Sequence, residues 1–95
     1  SSFEGYNIKE GEILGLENGK VSLVDTDPVK AAYRVTRHLF KKGTHQFATI
    51  IYGQGITQEQ ANQVSSMLTA KYDGDIDITV VNGGQPVYYF IISIE

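Results

Sequence analysis

Phe47-Ala-Thr-Ile-Ile-Tyr-Gly-Gln-Gly-Ile-Thr-Gln-Glu-Gln60 carries a strand, a turn and a helix start in one short run. Residues 47–52 are apolar without alternation, the pattern of a central strand covered on both faces. Gly53-Gln54-Gly55-Ile56 reads as a loop. Thr57 followed by Gln60 fits a capping box, in which side chain and backbone amide satisfy one another. The helix it opens spans about 58–72 and buries Ala61, Val64, Leu68 and Tyr72. Asp73-Gly74-Asp75 stops it, and 76–81 alternates as a strand. A strand, a helix and a strand at this spacing predict a right-handed crossover between parallel neighbours.

Toward the N-terminus, Asp27-Pro28 starts another helix. The aspartate can cap free amides, and proline at the first helical position loses no hydrogen bond. At 100° per residue, Val29, Ala32, Tyr33, Thr36, Leu39 and Phe40 share one face. Lys30, Arg34, Arg37 and Lys41 share another. The helix should reach about Lys42 and stop at Gly43. Further upstream, Asn18-Gly19 lies between two apolar runs and predicts a hairpin with strands near 12–16 and 20–24, since both turn positions need positive φ. Residues 1–11 read as a polar lead-in or a short edge strand. Toward the C-terminus, 87–94 is the last strand, close enough to 76–81 for a hairpin. The expectation is one α/β domain of order β-β-α-β-α-β-β, with a mixed, partly parallel sheet packed by two helices.

Composition narrows the function classes. Hydrophobic residues make up 41% and charged residues 20% of 95, an ordinary globular balance. The net charge of −3 gives no reason to expect nucleic acid as a partner. Cysteine is absent, which removes disulfide and thiolate chemistry and fits a cytoplasmic setting. No apolar run approaches a membrane span. The chain begins at Ser1, as a fragment of a larger protein would.

Candidate sites fall in four places. Gly53-Gln54-Gly55 could hold an anion at a helix N-terminus, though Gln58 stands where a dinucleotide fingerprint needs glycine; a tight strand-to-helix turn reads the same way. Lys30, Arg34, Arg37, Lys41 and Lys42 are five of eight basic residues, with no acid between Pro28 and Gln58. They make either a solvated helix face or a surface for an acidic partner. His38 and His45 alone cannot make a zinc site, and Asp73, Asp75 and Asp77 lack the glycine and glutamate of a calcium loop. Gly83-Gly84-Gln85-Pro86 allows close backbone approach, offers an amide, and leads into Tyr88 and Tyr89, one of which should face outward. No nucleophile–base pair and no GxSxG elbow can be assigned, so no catalytic residue is named.

Several of these residues together resemble a known family. They are Gly11-Glu-Ile-Leu-Gly15, Asn18-Gly19, Asp27-Pro28, Tyr52-Gly53, Gly83-Gly84-Gln85-Pro86-Val87-Tyr88 and Ile92-Ser93-Ile94-Glu95. Over residues 11–95 the chain resembles the C-terminal domain of bacterial fatty acid kinase, from its dihydroxyacetone-kinase-like, ATP-binding subunit. Tyr89-Phe90 departs from the proline and tyrosine that many members carry there. The resemblance implies that a separate N-terminal domain, with ATP and magnesium, phosphorylates a fatty acid held by a lipid-binding protein. This region would contribute no cofactor site and would engage that fatty-acid-binding partner and the other domains of its parent. Tyr52, Gly53, Gln54, Gly55, Gly83, Gly84, Gln85, Pro86 and Tyr88 are the expected contact residues, with Lys30, Arg34, Arg37 and Lys41 as a second surface. An anion-binding regulatory module and a homodimerisation domain pairing apolar edge strands are the rival classes.

Overall fold

The computed structural model describes residues 2–3, 6–7, 13–15 and 27–95. Its elements are β1 (Ser2–Phe3), β2 (Tyr6–Asn7), β3 (Ile13–Gly15), α1 (Pro28–Leu39), β4 (Phe47–Tyr52), α2 (Gln58–Tyr72), β5 (Asp77–Asn82) and β6 (Phe90–Ile94). β1 and β2 form a small antiparallel ladder in the lead-in. The other strands make one mixed sheet in the order β3-β6-β4-β5. β4 runs parallel to β5 and antiparallel to β6, and β6 runs parallel to β3. The mixed α/β architecture read from the sequence is the one observed. The expected strand at 20–24, and with it the Asn18-Gly19 turn, lies outside the described residues.

Local chemistry fixes both helix starts where the sequence puts them. Asp27 Oδ1 accepts from the amides of Val29 at 3.0 Å and Lys30 at 3.3 Å. The Thr57 amide donates to Gln60 Oε1 at 2.9 Å, and the Gln60 amide donates to Thr57 Oγ1 at 3.1 Å. Each pairing occupies amides that the helix cannot satisfy itself.

α1 ends at Leu39, earlier than the expected Lys42. Phe40 leaves the helix in an extended conformation, which buries its ring against Tyr72 with 4.7 Å between centroids. The Lys41 amide then donates to His45 Nδ1 at 2.8 Å, where a continuing helix would have used a carbonyl. Burial of one aromatic ring and a side-chain acceptor together outcompete another turn of helix.

The sheet has one covered face. Ala48, Ile50 and Tyr52 of β4 alternate with Phe90, Ile92 and Ile94 of β6 into the core. Against them pack Val29, Ala31, Ala32, Val35 and Leu39 from α1, and Ala61, Val64 and Leu68 from α2. Ala31 and Val35 widen the apolar face of α1 beyond the residues expected there, while Tyr33 and Tyr72 are half-buried at its margin. Thr36 is fully buried because its hydroxyl donates to the Ala32 carbonyl at 2.8 Å. The opposite face presents Phe47, Thr49 and Ile51 of β4, Ile91 and Ser93 of β6, and Thr79 and Val81 of β5, all half-buried or exposed.

Two strand expectations are corrected. The last strand begins at Phe90 instead of residue 87, and β5 and β6 are not hairpin partners because β4 separates them. β6 instead takes an interior position between β3 and β4. Truncating its fully buried Ile92 should therefore be severe. Ile92→Ala is expected to cost about 2–5 kcal/mol, read as a shift of the urea unfolding midpoint at constant slope.

Candidate functional site

Because β6 lies beyond β4 from β5, residues 83–89 must pass over the C-terminal end of β4. This strap brings together the two glycine-containing turns singled out in the sequence. The amides of Gly83 and Gly84 donate to the Tyr52 carbonyl at 2.9 and 3.2 Å. The Gly53 amide donates to the Tyr89 carbonyl at 2.9 Å, and the Gln54 amide to the Gln85 carbonyl at 3.0 Å. Gln85 folds inward, and its Nε2 donates to the Ile51 carbonyl at 3.1 Å. The strap thus supplies donors and acceptors where the β-ladder of the central strand runs out.

Two glycines are required by this crossing. A Cβ on Gly53 would collide with the Tyr88 carbonyl oxygen and lie 2.7 Å from that of Gln85. A Cβ on Gly83 would collide with Gln85 Oε1 and Ile51 Cγ2. Backbone passes over backbone here with no room for a side chain. Gly55 differs, since its would-be neighbour is the edge of the Tyr89 ring.

The expected contact residues consequently divide. Tyr52 is a core residue at 7% exposure, and Gly53 is buried. Gln85 is half-buried, and its Oε1 is buried without a hydrogen-bond partner among the described residues. Gln54, Gly55, Gly83, Gly84 and Pro86 are exposed, and Tyr88 is half-buried. Val87, absent from the expected set, is an exposed apolar side chain on the strap at 37%. In the turn after β4, the amides of Gly53, Gln54, Ile56 and Thr57 all donate within the domain. The strap end therefore presents a small mixed surface of Gln54, Pro86, Val87 and Tyr88.

The basic residues of α1 form part of a second feature at the far end of the domain. Arg34, Arg37 and His38 face Lys71 and Tyr72 of α2 across an open groove of about 360 Å3. Lys30 and Lys41 do not line it; the Lys41 ammonium turns back to the His38 carbonyl at 3.1 Å. Lys42 pairs with Asp75 at 3.1 Å in an exposed bridge. Lys71 and Tyr72 escaped the sequence reading because only helix–helix packing brings them to α1. Burial raises the Tyr72 phenol above its ordinary value of 10.0, Arg37 partly offsets this, and Tyr33 adds to it. No three His, Cys, Asp or Glu side chains converge on a common point among the described residues.

Residues 1–95 match the FakA-like C-terminal family model, which describes the C-terminal region of a fatty acid kinase component. The chain belongs to that family. It is 32% identical over 92 residues to Protein YloV of Bacillus subtilis (strain 168), covering 97% of this chain and 16% of that protein. An uncharacterized protein of Staphylococcus haemolyticus (strain JCSC1435) is 24% identical over 95 residues, covering 100% of this chain and 17% of the relative. An uncharacterized protein of Staphylococcus aureus (strain USA300) is 23% identical over the same length, again covering 100% of this chain and 17% of the relative. This sequence therefore spans about one-sixth of the curated relatives it matches. No solved structure matches it significantly. No helix among the described residues is long and apolar enough to cross a membrane.

The strap geometry sets an order of glycine tolerance. Gly53→Ala should destabilise the domain by about 3 kcal/mol, because both obstructing atoms are backbone. Gly55→Ala should cost clearly less, because the Tyr89 ring can swing aside; urea unfolding of the two variants orders them. For Tyr72, a raised folded-state value means that its contribution to stability is complete below the unfolded value and is lost as pH rises through the folded one. Stability of the wild-type chain should fall with pH above about 10 more steeply than that of Tyr72→Phe, as read from urea midpoints across an alkaline series.

Proposed function

We propose that this chain is the non-catalytic, partner-engaging domain of a fatty acid kinase. In this reading it holds a fatty-acid-binding protein so that a separate kinase domain, with its own ATP and magnesium, can phosphorylate the bound fatty acid. The observation that carries the proposal is the full-length match to a family defined by the C-terminal region of a fatty acid kinase component. The strap end supports a docking role. Its amides and the Gln85 side chain are engaged in bracing β4, while Gln54, Pro86, Val87 and Tyr88 face outward from a rigid support. A preorganised rim with an exposed apolar centre suits recognition of a protein surface.

Isothermal titration of the chain with the fatty-acid-loaded binding protein from the same genome tests the reading. Saturable binding is expected, with Val87→Glu weakening it by roughly tenfold, the scale of removing one apolar contact and burying an unpaired charge. Absence of binding by the folded chain would rule out partner engagement. Equal binding by Val87→Glu would move the contact away from the strap.

A further inference from the structure

The groove between the helices stands at the opposite end of the domain from the strap, since both helices end where β4 and β5 begin. Its cations reach it by two independent routes. Arg34, Arg37 and His38 have spacings of three and four, which a helix places on one side. Lys71 arrives from the last turn of α2. The sequence from Pro28 to Gln58 contains no acid, so α1 carries no carboxylate to neutralise the stripe. The concentration of positive charge here runs against a chain whose net charge is −3.

Arg37 is positioned by a contact that does not occupy its hydrogen-bond donors. Its guanidinium lies over the Tyr33 ring, 5.3 Å from the centroid, an attraction to the ring face that leaves the planar fork available. Tyr72, wedged on Phe40, forms a rigid wall between the cations of the two helices. With burial holding its proton, the phenol is a neutral donor beside them.

We propose that this groove docks an acidic segment of a partner protein, whose Asp or Glu carboxylates are received by Arg34, Arg37 and Lys71. The groove is open along its side and its cations stand on two helices. It therefore suits carboxylates spread along a chain better than one anion enclosed in a pocket. Carboxylates about one helical turn apart, roughly 5 Å along the axis, match the rise between Arg34 and Arg37 or His38. Nucleic acid fits less well. Tyr33 and Tyr72 turn toward Arg37 and Phe40 instead of offering stacking platforms, and the remaining surface would repel a polyanion. The proposal is independent of which protein the strap end engages.

Fluorescence anisotropy with a labelled polyglutamate peptide, joined to amide chemical-shift mapping, tests it. Binding should saturate, weaken as ionic strength rises, and shift resonances in residues 33–38 and 68–72. Arg34→Glu with Arg37→Glu, and separately Lys71→Glu, should each weaken binding by roughly tenfold or more while thermal midpoints stay near wild type. Should a charge reversal fail to fold, Arg37→Gln and Lys71→Gln give the same reading with smaller losses. Affinity unchanged in the folded variants would overturn the proposal, as would shifts scattered over the surface. Inorganic phosphate saturating the groove while the peptide fails to bind would also overturn it, in favour of a small-anion site.

Discussion

The crossing of residues 83–89 over the end of β4 is the constraint on which the rest of the sheet depends. β4 is the strand that both α2 and the parallel partner β5 are built around, and its other edge is reserved for β6. To reach that edge from β5 the chain must pass the last carbonyls of β4 at contact distance. Backbone hydrogen bonds from Gly83, Gly84, Gly53 and Gln54 and one side-chain bond from Gln85 make the passage a continuation of the sheet. Without the two glycines that permit it, β6 could not enter between β4 and β3, and β3 would have no partner in the sheet.

How much of this was legible depends on the range of the interactions involved. The starts of both helices were readable because Asp27 with Pro28, and Thr57 with Gln60, act within a few residues. β4 was readable from its continuous apolarity. The position of β6 was not, since strand order is set by pairing between segments distant in sequence, and a short connection favours the hairpin that does not occur. Val87, Tyr88 and Tyr89 have the composition of a strand, yet they serve to cross and plug the turn at Gly55. The end of α1 was hidden for a related reason: Phe40 is a good helical residue that finds its burial only after leaving the helix.

The candidate sites show the same division. Gly83-Gly84-Gln85-Pro86 stood out in the sequence, and it is unusual in the structure, but its inner atoms serve the fold. What remains outward is a narrower set that includes Val87, which composition alone did not distinguish. On α1 the basic stripe was visible from spacing, whereas the groove was not. It takes the packing of α2 to add Lys71 and Tyr72, and it takes the local turn at His45 and the bridge to Asp75 to draw Lys41 and Lys42 away. Periodicity identifies which residues share a face, and tertiary packing decides which face becomes a site.

The interior placement of β6 also bears on how the domain reaches its native state. β4, α2 and β5 are consecutive and can associate through short loops, so half of the sheet has a low cost of closure. β3 belongs to an earlier part of the chain and touches the sheet only along β6, the final element of this sequence. Its docking must await the last strand and closes nearly the whole chain into one loop. The two edges of the sheet therefore mature by different routes, one early and local, the other late and long-range. The strap is the hinge between those two stages of assembly.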